Sequence, residues 1–203
     1  MTEKSTQTPY ATKTLPLDFE PLYTLDLAKD LRVGMLLNLA VLFMLFIFGY
    51  LFLWAGKTLR PETWSADQTL LGEIGLVDLV VVFVLMVLLH EGIHGLFFWV
   101  YTRERPKFGL KLLYAYASAP DWYFHRNPFI WVGLSPLVLI SLIGVLLIPW
   151  LPIAWIPPLI LFLTINAAGS MGDAFIVLKL LSQPDDALIQ DLGDSFTIYG
   201  HKL

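Results

Sequence analysis

The chain contains no cysteine, which excludes disulfides, thiolate metal sites, iron–sulfur clusters and cysteine nucleophiles. Any metal must therefore be held by His, Asp or Glu. Charge is also scarce. Only 15 % of the 203 residues are Asp, Glu, Lys or Arg, against roughly 25 % in soluble domains. The net charge of -4 favours neither a nucleic-acid partner nor an acidic one. The stretch from Met1 to Asp30 lacks the basic-then-apolar layout of a cleaved signal peptide, so the first hydrophobic run is expected to stay as a membrane anchor. No internal repeat and no low-complexity tract is present.

Apolar residues are what the chain has in abundance. They make up 57 % of it, with a mean hydropathy of +0.68. Four apolar segments approach the roughly 20 residues that span a bilayer. They run from about Gly34 to Ala55, Leu76 to Tyr101, Phe129 to Trp150 and Ile156 to Leu181. Trp54, Trp99, Trp131, Trp150 and Trp155 stand near segment ends, where indole prefers the interface. Pro149, Pro152, Pro157 and Pro158 separate the last two segments, which predicts a tight hairpin between them. The expected fold is an all-α membrane protein of four transmembrane helices. The loop from about Thr102 to Pro128 is long for a connection, and Phe108 to Tyr116 is rich in strand formers. A short β-hairpin or a re-entrant segment is expected there. Tyr23 to Arg32 is expected to form an amphipathic helix on the interface.

Basic residues orient the spans. An even number of spans puts both termini and the middle loop on one side, and that side carries eleven of the thirteen Lys and Arg. Only Lys57 and Arg60 fall on the other. The positive-inside rule then predicts a multi-pass protein of the cell membrane with both termini in the cytosol.

Within the second span lies His90-Glu91-Gly92-Ile93-His94. Residues four apart share a helix face, so both imidazoles can point at one metal ion. Neutral imidazole is a good Zn²⁺ ligand, and Glu91 is placed to act as a general base on water. Ionisable groups at membrane depth are costly and are functional suspects by default. The bland alternative is a pair of packing histidines, which desolvation disfavours inside a spanning helix.

A catalytic zinc site usually has a third protein ligand. His125 lies in the middle loop and His201 near the C-terminal end. Glu73 and Asp78 are at the outer end of the second span, at the wrong depth. Asp173 lies eight residues from Leu181, roughly 12 Å along a helix, and His94 lies seven residues from Tyr101, roughly 10 Å. Their depths match. Small residues around Asp173 also allow another helix to approach closely. The alternative for Asp173 is a pairing with a basic residue such as Lys179. For Asn166 it is an interhelical hydrogen bond, and for His125 and Arg126 a place at the interface.

These residues resemble a known family. His-Glu-Gly-Ile-His-Gly at 90–95, Ser135-Pro136 at the start of the next span and the stretch from Asn166 to Gly172-Asp173 are similar to the zincin membrane peptidases. That group of small four-span proteins is otherwise defined as a domain of unknown function. Its core is similar to that of site-2 proteases, the intramembrane zinc metalloproteases. The later span departs from the site-2 pattern, since no proline lies between Asn166 and Asp173 and Ala174 follows the aspartate. The resemblance covers about residues 30 to 182. It implies Zn²⁺ held by His90, His94 and Asp173, Glu91 as the catalytic base, and Asn166 as a substrate-positioning residue. It divides the chain into a cytosolic or interfacial segment (1–33), a four-helix metalloprotease-like membrane domain (34–182) and a C-terminal cytosolic tail (183–203). The expected activity is hydrolysis of peptide bonds near the cytosolic side of the membrane. The expected partners are the lipid bilayer and a membrane-associated protein or peptide substrate. The rival reading is a non-enzymatic membrane protein that binds or transports metal through the same His/Asp cluster.

Overall fold

The computed structural model describes residues 7–26, 29–64, 74–110, 115–193 and 195–202. The chain begins with two strands, β1 (Ala11–Thr12) and β2 (Phe19–Asp26). A long helix follows, α1 (Leu31–Leu59), and then α2 (Leu76–Thr102). Three short strands come next: β3 (Lys107–Leu110), β4 (Ala115–Ser118) and β5 (Tyr123–His125). After α3 (Arg126–Leu147), a pair of 3-10 turns leads to α4 (Ile156–Gly169) and α5 (Met171–Leu181). Strands β6 (Leu188–Asp191) and β7 (Ser195–His201) follow. Four stretches are long and apolar enough to cross a membrane: Leu31–Leu59, Leu76–Thr102, Arg126–Trp150 and Ile153–Leu181. This is consistent with a multi-pass membrane protein.

Three expectations need correction. The fold is not purely all-α. A five-stranded antiparallel sheet has the order β1-β5-β6-β7-β2, and β3 and β4 form a second, two-stranded sheet. The expected interfacial helix at Tyr23 to Arg32 is absent, because Tyr23 to Asp26 belong to β2 and α1 starts only at Leu31. The C-terminal stretch is not a mere tail, since its two strands complete the larger sheet. The physical reason is shared. Strand β2 gains its backbone hydrogen bonds from β7, with Phe19 opposite His201 and Asp26 opposite Ser195. A partner so distant in sequence leaves no local mark on β2. A bulge near Leu22 interrupts that ladder, as one extra residue on a strand does. In the middle loop a β-hairpin forms rather than a re-entrant segment, with Lys107 opposite Ser118 and Leu110 opposite Ala115. Its residues 111–114 lie outside the described set.

The chain divides into two compact units. The first comprises Met1–Leu36, Glu91–Ser135 and Asp173–Leu203. Its core packs Phe98, Trp122, Phe124 and Phe129 with Ile189, Phe196 and Ile198. Strand β7 buries every second residue, Phe196, Ile198 and Gly200, as a strand with one covered face must. Arg126 gathers the end of α5, donating from Nε to the Leu180 carbonyl (3.1 Å) and from its second guanidinium nitrogen to the Leu181 carbonyl (3.0 Å). These are carbonyls that no further helical turn can satisfy.

The second unit comprises Leu37–His90 and Pro136–Gly172. It is built of helices, and its buried side chains include Phe52, Ile148, Ile156, Ile160 and Leu163. Arg60, just past α1, donates to the carbonyls of Pro149 (3.0 Å) and Leu151 (2.9 Å). The fourth apolar stretch is interrupted at Ser170, whose backbone N–H and Oγ both donate to the Asn166 carbonyl (3.0 and 2.9 Å).

Candidate metal centre

One unbroken helix carries both histidines. His90 and His94 are buried and lie one turn apart on α2. The interruption at Ser170 starts α5 afresh and puts Asp173 in its first turn. A carboxylate is favoured there by the free amides of the helix start. Gly133 of α3 lets α5 approach, since a Cβ at that position would stand 2.8 Å from Val177 Cγ2. The result is a His94 Nε2 to Asp173 Oδ2 distance of 3.5 Å. One ligand atom from each of His90, His94 and Asp173 lies within 4.8 Å of the others.

The opposite ring nitrogens are taken. His94 Nδ1 is 2.9 Å from the Val132 carbonyl. A carbonyl only accepts, so Nδ1 carries a proton, and Nε2 is the nitrogen that faces Asp173. His90 Nδ1 is 3.0 Å from Asn166 Oδ1. The Asn166 amide is oriented by its other end, where Nδ2 donates to the Pro136 carbonyl (3.3 Å). Oδ1 therefore faces the ring, and His90 Nδ1 is again the donor. Asn166 is fully buried and orients the His90 ring through this hydrogen bond.

Glu91 points to the small sheet. Its Oε2 accepts the Ala117 N–H at 2.7 Å. Ala117 lies opposite Phe108 in the β3–β4 ladder, and its N–H turns away from β3 toward Glu91. Among the described residues β4 pairs with β3 alone.

Asp191 is a site neighbour that the sequence reading passed over. Burial pushes its carboxyl up to about 6; the Gly193 N–H and His94 act against that rise, and Asp173 and Glu91 add to it. Its Oδ1 accepts the Gly193 N–H at 2.8 Å. Gly193 has φ +94°, a left-handed conformation that favours glycine. A Cβ there would also run into the Tyr116 ring of β4. The one sequence signal was Asp-x-Gly, an ordinary turn signature.

The other candidates fall elsewhere. His125 is on β5, where its backbone N–H donates to Tyr10. His201 is exposed between Asp18 and Asp186, at 2.8 Å from each. Asp78 accepts the Gly75 N–H (2.9 Å) at the start of α2. Glu73 lies outside the described residues.

Two imidazoles and a carboxylate, with no thiolate, suit Zn²⁺. The donor set is thus a histidine–carboxylate group that could hold a metal ion. Residues 83–188 match the family model described as "Putative zincin peptidase", and the chain belongs to that family. The family implies zinc, and the His90, His94 and Asp173 group can bind a metal. No curated protein and no solved structure matches the chain.

Proposed function

We propose that the protein is a membrane-embedded zinc endopeptidase that cleaves peptide bonds near the cytosolic side of the bilayer, as site-2 proteases do. The observation that carries the reading is Glu91. A carboxylate adjacent to one ligand histidine also reaches the peptide edge of a strand, at 2.7 Å from the Ala117 nitrogen. A base, a metal-ligating face and a strand edge in one place fit a peptide substrate better than an ion in transit.

Zinc held by His90, His94 and Asp173 would act as a Lewis acid toward a carbonyl and make water more acidic. The rest falls to the chain's own groups. Glu91 takes a proton from water and delivers it to the leaving amine. The outer edge of β4 holds the substrate extended by strand addition, its main chain paired with the peptide groups near Ala117. Glu91 yields the Ala117 N–H as the substrate strand arrives, which frees the carboxylate for its proton. Val132 and Asn166 keep the imidazoles aimed. The site's place seven to eight residues from the basic-flanked ends of its helices supports the cytosolic side.

The test is Glu91→Gln in protein reconstituted with zinc and a library of quenched single-span peptides. Cleavage is expected to fall by about 10²–10⁴-fold, the usual share of a general base, with zinc retained. Undiminished cleavage at full zinc content would overturn the assignment. Zinc movement into vesicles that survives the same change would favour transport instead.

A further inference from the structure

Both histidine hydrogen bonds trace back to one residue of α3. In an α-helix the N–H of residue 136 would bond to the carbonyl of residue 132. Position 136 is proline, inside α3, and proline has no N–H to give. The Val132 carbonyl is therefore released from the helix ladder. It accepts His94 Nδ1 at 2.9 Å and the Ser135 hydroxyl at 2.9 Å instead. Proline's own carbonyl does the second task. It accepts Asn166 Nδ2 at 3.3 Å, which turns Asn166 Oδ1 onto His90 Nδ1.

We infer that Pro136 is a positioning residue for the metal centre: by opening one rung of α3 it supplies the acceptor that fixes the tautomer of His94, while its carbonyl orients the Asn166 amide that meets His90. Each ring is held with its proton on Nδ1 and its lone pair on Nε2. A ligand histidine commonly donates its other N–H to a carbonyl or carboxylate, which sets ring orientation and ligand strength. Here a missing backbone proton supplies the acceptor for His94. Ser135 cannot replace that function, because its hydroxyl is a donor to the same oxygen. The inference rests on the zinc-site reading above.

Pro136→Ala restores an N–H that competes for Val132. Its effect is read on metal binding and on the rings, with no substrate needed. Zinc affinity should fall by about 10–100-fold, the usual loss when such a partner is removed. Imidazole nitrogen NMR of histidine-labelled, cadmium-loaded protein should show Nδ1–H and metal at Nε2 for both rings in the native chain. In Pro136→Ala the His94 Nδ1–H signal should weaken while that of His90 changes less. Asn166→Leu should do the reverse. A purely structural proline would destabilise the fold without this ring-specific split. Unchanged affinity and unchanged ring signals in a folded Pro136→Ala variant would overturn the inference and leave the zinc site standing. Coordination through Nδ1 in the native chain would overturn it whether or not the variant folds. A native chain that binds no metal would remove the zinc reading and this inference together.

Discussion

The two units are held together by different means. The sheet-bearing unit has an aromatic core of Phe98, Trp122, Phe124 and Phe196 and a hydrogen-bonded ladder joining strands from both ends of the chain. A soluble domain would be stabilised in the same way, by apolar area removed from water. The helical unit has few aromatics inside. Its helices meet at glycines, as at Gly144, where any Cβ would run into the Leu163 side chain. Close backbone approach of that kind is how helices associate in lipid, where burial of apolar surface gives no drive. Each unit also uses an arginine to take up carbonyls at a helix end, Arg126 in one and Arg60 in the other. The comparison teaches that one chain can combine two ways of packing.

The comparison can be broken or sharpened by experiment. The largest effect is expected at the metal centre. Asp173→Ala should remove stoichiometric zinc from purified protein, read by elemental analysis, and leave the folded content unchanged by circular dichroism. Next comes the sheet-bearing core. Phe124 is fully buried, and Phe124→Ala should cost about 3–5 kcal/mol in denaturant unfolding. The loss should appear in the sheet signals before the helical ones. Gly144→Ala sharpens the contrast from the other side. Overpacking against Leu163 should cost about 1–3 kcal/mol and act on the helical unit, a difference that hydrogen exchange by region would reveal. A last effect concerns pH and appears only over a limited range of it. A carboxyl whose folded value is raised from 3.8 to about 6 binds protons more tightly in the folded state. In metal-free protein it therefore favours folding at low pH, and that contribution is lost as pH rises through this window. Asp191→Asn should flatten the stability profile between the two values and leave it unchanged at lower pH.

Much of the helical framework was legible in the sequence, for a local reason. A membrane-length apolar run is its own evidence, and α1, α2 and α3 need no distant partner to be seen. The histidine pair was legible on the same ground, because a helix face depends on spacing alone. Asp173 required only a comparison of depths along two helices. The break at Ser170 was not visible, since Gly169 and Gly172 read equally well as small packing residues. The larger sheet was hidden more deeply. Strand β7 alternates plainly in Phe196, Ile198 and Gly200, but β2 contains Pro21 and a bulge that blur its period. For Asn166 the resemblance implied a substrate-positioning role and the residues alone equally allowed an interhelical hydrogen bond. Its place between the Pro136 carbonyl and His90 depends on α3, which no spacing within its own helix reveals.

The ladder between Thr24 and Thr197, whose hydroxyls meet at 3.1 Å across 173 residues of chain, has a consequence for biosynthesis. At about 5–20 residues per second, ribosomes need roughly ten to thirty seconds to make that intervening length. For all that time β2 lacks its β7 partner. The Asp191 turn emerges only at the close of that interval. A nascent chain therefore carries its histidines long before the β2–β7 pairing and the Asp191 turn can form.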